Sequence, residues 1–201
     1  LEFRRVLFRS IESGAFAYSK NLQSIIIPNT VERVGYSAFY GCESLSSVHI
    51  SDIATWCEIE FDYYNSNPLY YAHNLYLNGE KVNDLYIPNS VYSIGKYAFY
   101  NCSELSRIIV GEDVEKIGEE AFADCTNLTI YGYNGTCAET YANDHSIPFI
   151  SLGAAPTDQT GDINRDGEIT LSDAVLLARL MTEDIHLSLT KTALLNADVN
   201  E

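Results

Sequence analysis

Four pairs of a small and a large apolar residue set the rhythm of the chain: Ala15-Phe16, Ala38-Phe39, Ala98-Phe99 and Ala121-Phe122, spaced by 23, 60 and 23 residues. Each pair sits in a longer frame. Gly35, Gly95 and Gly118 come three residues before their Ala, and Cys42, Cys102 and Cys125 follow their Phe by three, with Ser19 in that slot of the first unit. Leu22, Leu45, Leu105 and Leu128 follow three residues later. Short β-prone runs come next: Ile25-Ile26-Ile27-Pro28, Val48-His49-Ile50, Leu85-Tyr86-Ile87-Pro88 and Ile108-Ile109-Val110. The two Ile-Pro runs lead on to Val31…Val34-Gly35 and Val91…Ile94-Gly95.

Self-similarity at a period in the twenties predicts a solenoid. In each coil a strand of three or four residues alternates in and out. Proline ends it because it cannot donate to the next ladder, and glycine is expected to permit the turn onto the convex side. Ala and Phe then point inward, and Cys and Leu fill the next layer. A single coil has nothing to bury its apolar face against, whereas stacked copies build a continuous core. Cysteines recurring at a structural slot are expected as buried thiols. Stacked positions lie about 5 Å apart, which also leaves a Cys102–Cys125 disulfide open. Cys57 and Cys137 fall outside the slot and are expected unpaired, and with no C-x-x-C the chain lacks a zinc pattern.

The interval from Phe39 to Phe99 exceeds two periods by 14 residues and holds the single Trp, Trp56. Asn78-Gly79 between apolar flanks predicts a hairpin turn, so this stretch reads as a coil carrying a β-hairpin excursion. Tyr131-Gly132-Tyr133, a short helix around 136–144 and Ile147-Pro148-Phe149-Ile150 read as a C-terminal cap.

This frame resembles the BspA-like leucine-rich repeat of bacterial surface proteins. The resemblance implies an α/β fold, a leucine-rich-repeat solenoid with a parallel sheet over residues 11–152, acting as a recognition surface. By strand alternation His49 projects from the sheet face opposite Val48 and Ile50, in one outward column with Ile26, Tyr86 and Ile109. Those four form a candidate ligand face for a protein or glycan; lateral packing between coils is the alternative.

Charge narrows the partners. Twelve Lys+Arg against 28 Asp+Glu give −16, which disfavours nucleic acid and anionic membranes and favours a bound cation. No apolar run approaches the roughly 20 residues of a membrane span. The first ten residues, LEFRRVLFRS, are similar to a common sequencing adapter translated in one frame. Residues 1–10 are therefore expected to be an artefactual leader, with any signal peptide upstream.

Residues 153–160, GAAPTDQT, read as a linker. Beyond it Asp162, Asn164, Asp166 and Asp173 occupy positions 1, 3, 5 and 12 of a loop with Gly167 at position 6. Such oxygen donors around a sharp glycine bend match an EF-hand-like Ca²⁺ loop. Glu168 would supply its backbone carbonyl and Thr170 a bound water. Asp at position 12, followed at once by the apolar run from Ala174 to Leu180, resembles a type I dockerin, a small helical EF-hand-like module. Asp198 and Asn200 would open a second, incomplete calcium loop, which makes 161–201 a truncated dockerin. In that family a cohesin module of a scaffoldin reads loop positions 10 and 11 and the next helical turn. Carried over, these are Leu171, Ser172, Ala178 and Arg179; intramolecular packing is the alternative for Leu171.

Signals for catalysis are missing. The histidines His49, His73, His145 and His186 are scattered, with no HExxH, nucleophile elbow or phosphate loop. The acidic pairs Glu112-Asp113 and Glu119-Glu120 sit beside turns of the repeat. The expectation is a non-catalytic, extracellular protein of a cellulosome-type complex, bound to a cohesin through Ca²⁺. The alternative is a fragment of a polysaccharide-degrading enzyme whose catalytic domain lies upstream.

Overall fold

The computed structural model describes residues 8–155, in two compact units. One comprises residues 8–83, 93–105 and 116–127; the other comprises residues 84–92, 106–115 and 128–155.

In the first unit the Ile and Val runs become strands. β1 (Ser10–Ile11), β3 (Arg33–Val34) and β5 (Glu60–Phe61) form one parallel sheet. β2 (Ser24–Ile26), β4 (Ser47–Ile50) and β6 (Leu75–Leu77) form another, to which β7 (Glu80–Lys81) adds antiparallel through the Asn78-Gly79 turn. Both turn residues are left-handed, with φ of 53° and 89°, as a two-residue hairpin demands. β9 (Ser93–Ile94) pairs with β11 (Lys116–Ile117). Strand pairing begins at Ser10, inside the expected leader, and the Arg9 carbonyl accepts from Glu32 N at 2.7 Å.

The phenylalanines stack as the period requires. Phe16 and Phe39 lie 5.2 Å apart and 5° from parallel, Phe99 and Phe122 5.3 Å and 8°. Neighbouring coils are tied by Phe16 N donating to Ala38 O and Phe99 N to Ala121 O, each at 2.8 Å. Two residues to either side of each Phe the backbone turns left-handed: Gly14 and Tyr18, Ser37 and Gly41, Tyr97 and Asn101, Glu120 and Asp124. Six of these eight are not glycine, each costing about 1 kcal/mol or more, a strain that full burial of Phe39 and Phe99 offsets.

Gly35, Gly95 and Gly118 correct the reading of the turn. None has a positive φ. A Cβ on Gly35 would meet Ser13 N at 2.5 Å, one on Gly95 would meet Cys57 O at 2.9 Å, and one on Gly118 would collide with Lys96 N. These glycines let one coil's backbone lie directly against that of the preceding coil.

The long interval holds more than a hairpin. α1 (Ile53–Cys57) starts where Asp52 accepts from Ala54 N at 3.0 Å, and α2 (Leu69–Ala72) ends at left-handed His73. A 3-10 turn spans Tyr64–Ser66. Trp56 is buried and its indole N–H donates to Ala98 O at 3.0 Å. Buried Asn67 donates to the carbonyls of Tyr97 and Ala98 and accepts from Leu69 N. All five cysteines are free thiols. Cys42 and Cys125 each donate from Sγ to the Phe carbonyl of the preceding coil, Phe16 O and Phe99 O, at 3.1 Å, so the slot fills space and satisfies a carbonyl.

In the second unit β8 (Asp84–Ile87), β10 (Arg107–Val110), β12 (Thr129–Asn134) and β13 (Phe149–Ala154) form a parallel sheet in the order β13-β12-β10-β8. α3 (Cys137–Asp144) joins β12 to β13 and buries Ala138, Tyr141 and Ala142, as expected of the closing segment.

Ion pairs follow the repeat. Arg9–Glu32 (2.7 Å), Lys20–Glu43 (4.0 Å), Lys81–Glu104 (2.9 Å), Lys96–Glu119 (2.6 Å) and Arg107–Asp84 (3.7 Å) each join residues 23 apart. Exposed pairs add little energy singly; at this spacing each favours the stacking of one coil on the next in register.

Candidate ligand-binding surfaces and calcium tail

Strand register decides which outward residues meet. In the first unit Ile26 pairs with His49, and His49 with Tyr76. Ile26 is 74% exposed. His49 stacks on Tyr76 at 4.6 Å and 20°, its Nε2 3.2 Å from Ser47 Oγ. In the second unit Tyr86 pairs with Ile109, Ile109 with Tyr131 and Tyr131 with Ile150. The Tyr86 hydroxyl donates to Asn89 Oδ1 at 2.8 Å, and the Arg107 guanidinium lies 5.5 Å from the Tyr131 ring centre.

The four candidates of the outward column therefore divide, Ile26 with His49 in one sheet and Tyr86 with Ile109 in another. Ile109 is corrected further: it is only 5% exposed. Its register neighbours on both sides are tyrosines, Tyr86 and Tyr131, and its burial favours the lateral-packing alternative. Tyr76 and Tyr131 belong to these rows and were missed, because the hairpin strand and the capping strand fall outside the Ala-Phe frame.

A larger aromatic feature also escaped the frame. In the first unit Tyr64 packs on Tyr63 (4.5 Å), Tyr100 (5.2 Å), Tyr70 (5.5 Å) and Tyr97 (6.3 Å), and Tyr63 reaches Tyr36 (6.0 Å). Tyr36 and Tyr63 are 57% and 41% exposed, whereas Tyr97 is buried. Lys96 Nζ lies 4.8 Å from the Tyr97 ring centre and 2.6 Å from Glu119. Asp62 takes the Arg33 fork at 3.0 and 2.8 Å and accepts from Tyr36 N. Burial raises the phenol of Tyr64 above its ordinary range, and it raises Tyr100 further with help from a hydrogen bond to Asp124. Both stay protonated at neutral pH. The sequence signal was the Tyr63-Tyr64 and Tyr70-Tyr71 pairs in the insert and a Tyr after each of Phe39 and Phe99.

The calcium candidates Asp162, Asn164, Asp166, Glu168, Thr170 and Asp173, the second-loop residues Asp198 and Asn200, and the cohesin-reading residues Leu171, Ser172, Ala178 and Arg179 lie outside the described residues. The fit of the donor set rests on its chemistry: every assigned ligand is an oxygen, which suits a hard cation such as Ca²⁺. Among the described residues no cluster of His, Cys, Asp and Glu could hold a metal ion.

Two family models match the chain. One, described as a BspA type leucine rich repeat region, matches residues 8–129 in six copies; the other, a dockerin type I domain, matches residues 160–201. Neither is a catalytic domain. Both kinds of domain are typical of extracellular or cell-surface bacterial proteins, and no helix among the described residues is long and apolar enough to cross a membrane. No curated protein matches. Among solved structures, a leucine-rich repeat protein of T. pallidum is 20% identical, with 73% of this chain and 79% of that one covered and a TM-score of 0.35. One from Bacteroides ovatus is 21% identical, with 78% and 39% covered and a TM-score of 0.35. A leucine rich cell surface protein from Faecalibacterium prausnitzii is 23% identical, with 61% and 42% covered and a TM-score of 0.29. This chain spans about two-fifths of the last two.

Proposed function

The chain belongs to the BspA-type leucine-rich repeat family and carries a type I dockerin, and from that premise we propose a non-catalytic, secreted or cell-surface component of a cellulosome-type complex. Residues 11–152 form the recognition solenoid, 153–160 the linker and 161–201 the address. Side-chain oxygens of Asp162, Asn164, Asp166 and Asp173, with the Glu168 carbonyl and a water on Thr170, hold Ca²⁺, and the bound ion organises the loop and the helix after it. Leu171, Ser172, Ala178 and Arg179 then face the cohesin of a scaffoldin. The solenoid takes a protein or glycan ligand on its outward strand residues, with Ile26, His49 and Tyr76 as the most accessible row. Tethering by the dockerin raises the local concentration of that surface near its ligand.

The observation that carries this reading is the D-x-N-x-D-G-x-I-x-x-x-D spacing at 162–173, inside the segment matched as a dockerin. Retention of the chain on an immobilised type I cohesin panel tests it. Capture in Ca²⁺ with release by a chelator is expected. Failure to bind any cohesin in Ca²⁺, or binding that survives chelation, contradicts it.

A further inference from the structure

The outward strand rows leave unused the tyrosine cluster of the first unit. Its exposed members, Tyr36 and Tyr63, stand beside half-buried Tyr64, Tyr70 and Tyr100. A sugar ring stacks its C–H face on an open aromatic face, and a run of sugars needs several such faces in one plane. Here the exposed rings cross their neighbours, Tyr36 and Tyr63 at 45° and Tyr63 and Tyr64 at 41°, as do Tyr64 and Tyr70 at 51°, while half-buried Tyr64 and Tyr100 lie nearer parallel at 27°. Crossed rings offer faces and hydroxyls on several sides of a small group, as in tyrosine-rich protein-binding surfaces.

The charges around the cluster select the group. Lys96 already places an ammonium on the Tyr97 ring, so these rings accept a cation on their faces. Both cations of the cluster are committed, Arg33 to Asp62 and Lys96 to Glu119. Glu120 and Asp124 make no ion pair among the described residues; Tyr97 N donates to Glu119 O at 3.3 Å and Asn101 N to Ala123 O at 2.8 Å, which sets the coil that carries both carboxylates directly beside the tyrosines. The chain as a whole carries −16, which draws cationic partners toward it.

We propose that the tyrosine cluster, with Glu120 and Asp124, docks an arginine- or lysine-bearing segment of a partner protein. The cation sits on the face of Tyr63 or Tyr64 and is hydrogen-bonded by those two carboxylates. This contact uses neither the dockerin nor the outward strand rows, so it stands or falls separately from the cohesin reading.

The test titrates the full chain with a tetra-arginine peptide at roughly physiological salt, where diffuse attraction is screened. Binding is expected, with a tetra-citrulline peptide, isosteric and uncharged, failing to bind. Glu120→Gln with Asp124→Asn should weaken binding about tenfold, and Tyr63→Ala several-fold, while Tyr63→Phe retains it because the ring face is kept. Glu80→Gln with Glu115→Gln removes the same charge from two exposed positions and should change affinity less than about twofold. Unchanged thermal midpoints show that the variants remain folded. Equal weakening by the two charge pairs, indifference to Tyr63→Ala in a folded variant, or binding of cellohexaose in place of the peptide would each overturn the proposal.

Discussion

Gly118→Ala separates two explanations of the glycine before each Ala-Phe pair, because they predict opposite signs. Were the glycine needed only for a turn, alanine at this non-left-handed position would restrict the unfolded chain and raise stability by about 0.4–1 kcal/mol. The packing says otherwise. A Cβ at 118 would collide with Lys96 N and approach Gly95 C and Lys96 Cα at 2.8 Å. All three are backbone atoms, so no side chain can swing aside. The Gly118 N–H donates to Ile94 O at 2.8 Å, which pins the same two segments together. Relief requires the coils to part by roughly an ångström, and such overpacking costs about 1–3 kcal/mol. For a chain of this size that lowers the thermal midpoint by roughly 2–12 °C, read by circular dichroism and checked by urea titration. Gly79→Ala is the comparison, since a Cβ there meets nothing and only its φ of 89° is strained; it should cost about 1 kcal/mol. A Gly118→Ala midpoint equal to or above wild type would refute the close-approach account.

The stacked column makes a graded prediction: Phe99→Ala should cost about 3–5 kcal/mol in chemical denaturation, and Phe16→Ala less, since Phe99 is fully buried and Phe16 is not; equal costs would contradict the packing. The Lys96–Glu119 pair gives a pH signature. Glu119 titrates below its ordinary value and Lys96 above its own, so the pair's stabilisation is present from about pH 5 to pH 10 and fades as acid protonates Glu119 or base neutralises Lys96. The midpoint difference between wild type and Glu119→Gln should be largest in that window, shrink toward both extremes and shrink in molar salt; a difference that does not diminish as acid protonates Glu119 would exclude the charge as its cause. For the thiols, burial pushes Cys102 up to about 12 and Cys57 and Cys125 higher still. Mass-spectrometric labelling at pH 8 should therefore mark half-buried Cys137 first and the other three only on unfolding, whereas early modification of Cys102 would mean an open core.

What could be read from residues alone was whatever repeats. Strands β2, β4, β8 and β10 coincide with the short apolar runs, and from the second coil onward the Phe, Cys and Leu slots are buried, because a solenoid repeats the same contact at the same place in each coil. The interval between Phe39 and Phe99 resisted for the converse reason. α1 and α2 are a turn or so long, too short for apolar periodicity, and are set by the Asp52 cap and the Asn67 side chain. Gly118 looked like a turn residue because proximity to Lys96 exists only once two coils are stacked. The tyrosine cluster brings Tyr64 of the insert onto Tyr100, 36 residues away, a contact no spacing rule announces. For Ile109, alternation gives the direction of a side chain but not its burial, which depends on the residues of the flanking strands. At the candidate calcium loop the reverse holds, since ligand spacing within twelve residues is local and visible in the sequence itself.

A metal-organised address that folds independently of the repeat solenoid is the central claim. Calcium calorimetry on the full chain and on Asp166→Ala, paired with scanning calorimetry of the solenoid transition, tests it most directly. The prediction is Ca²⁺-dependent heat in the parent, none in the variant, and one solenoid midpoint shared by both. No calcium heat in the parent, or a solenoid midpoint that falls in the variant, would contradict it.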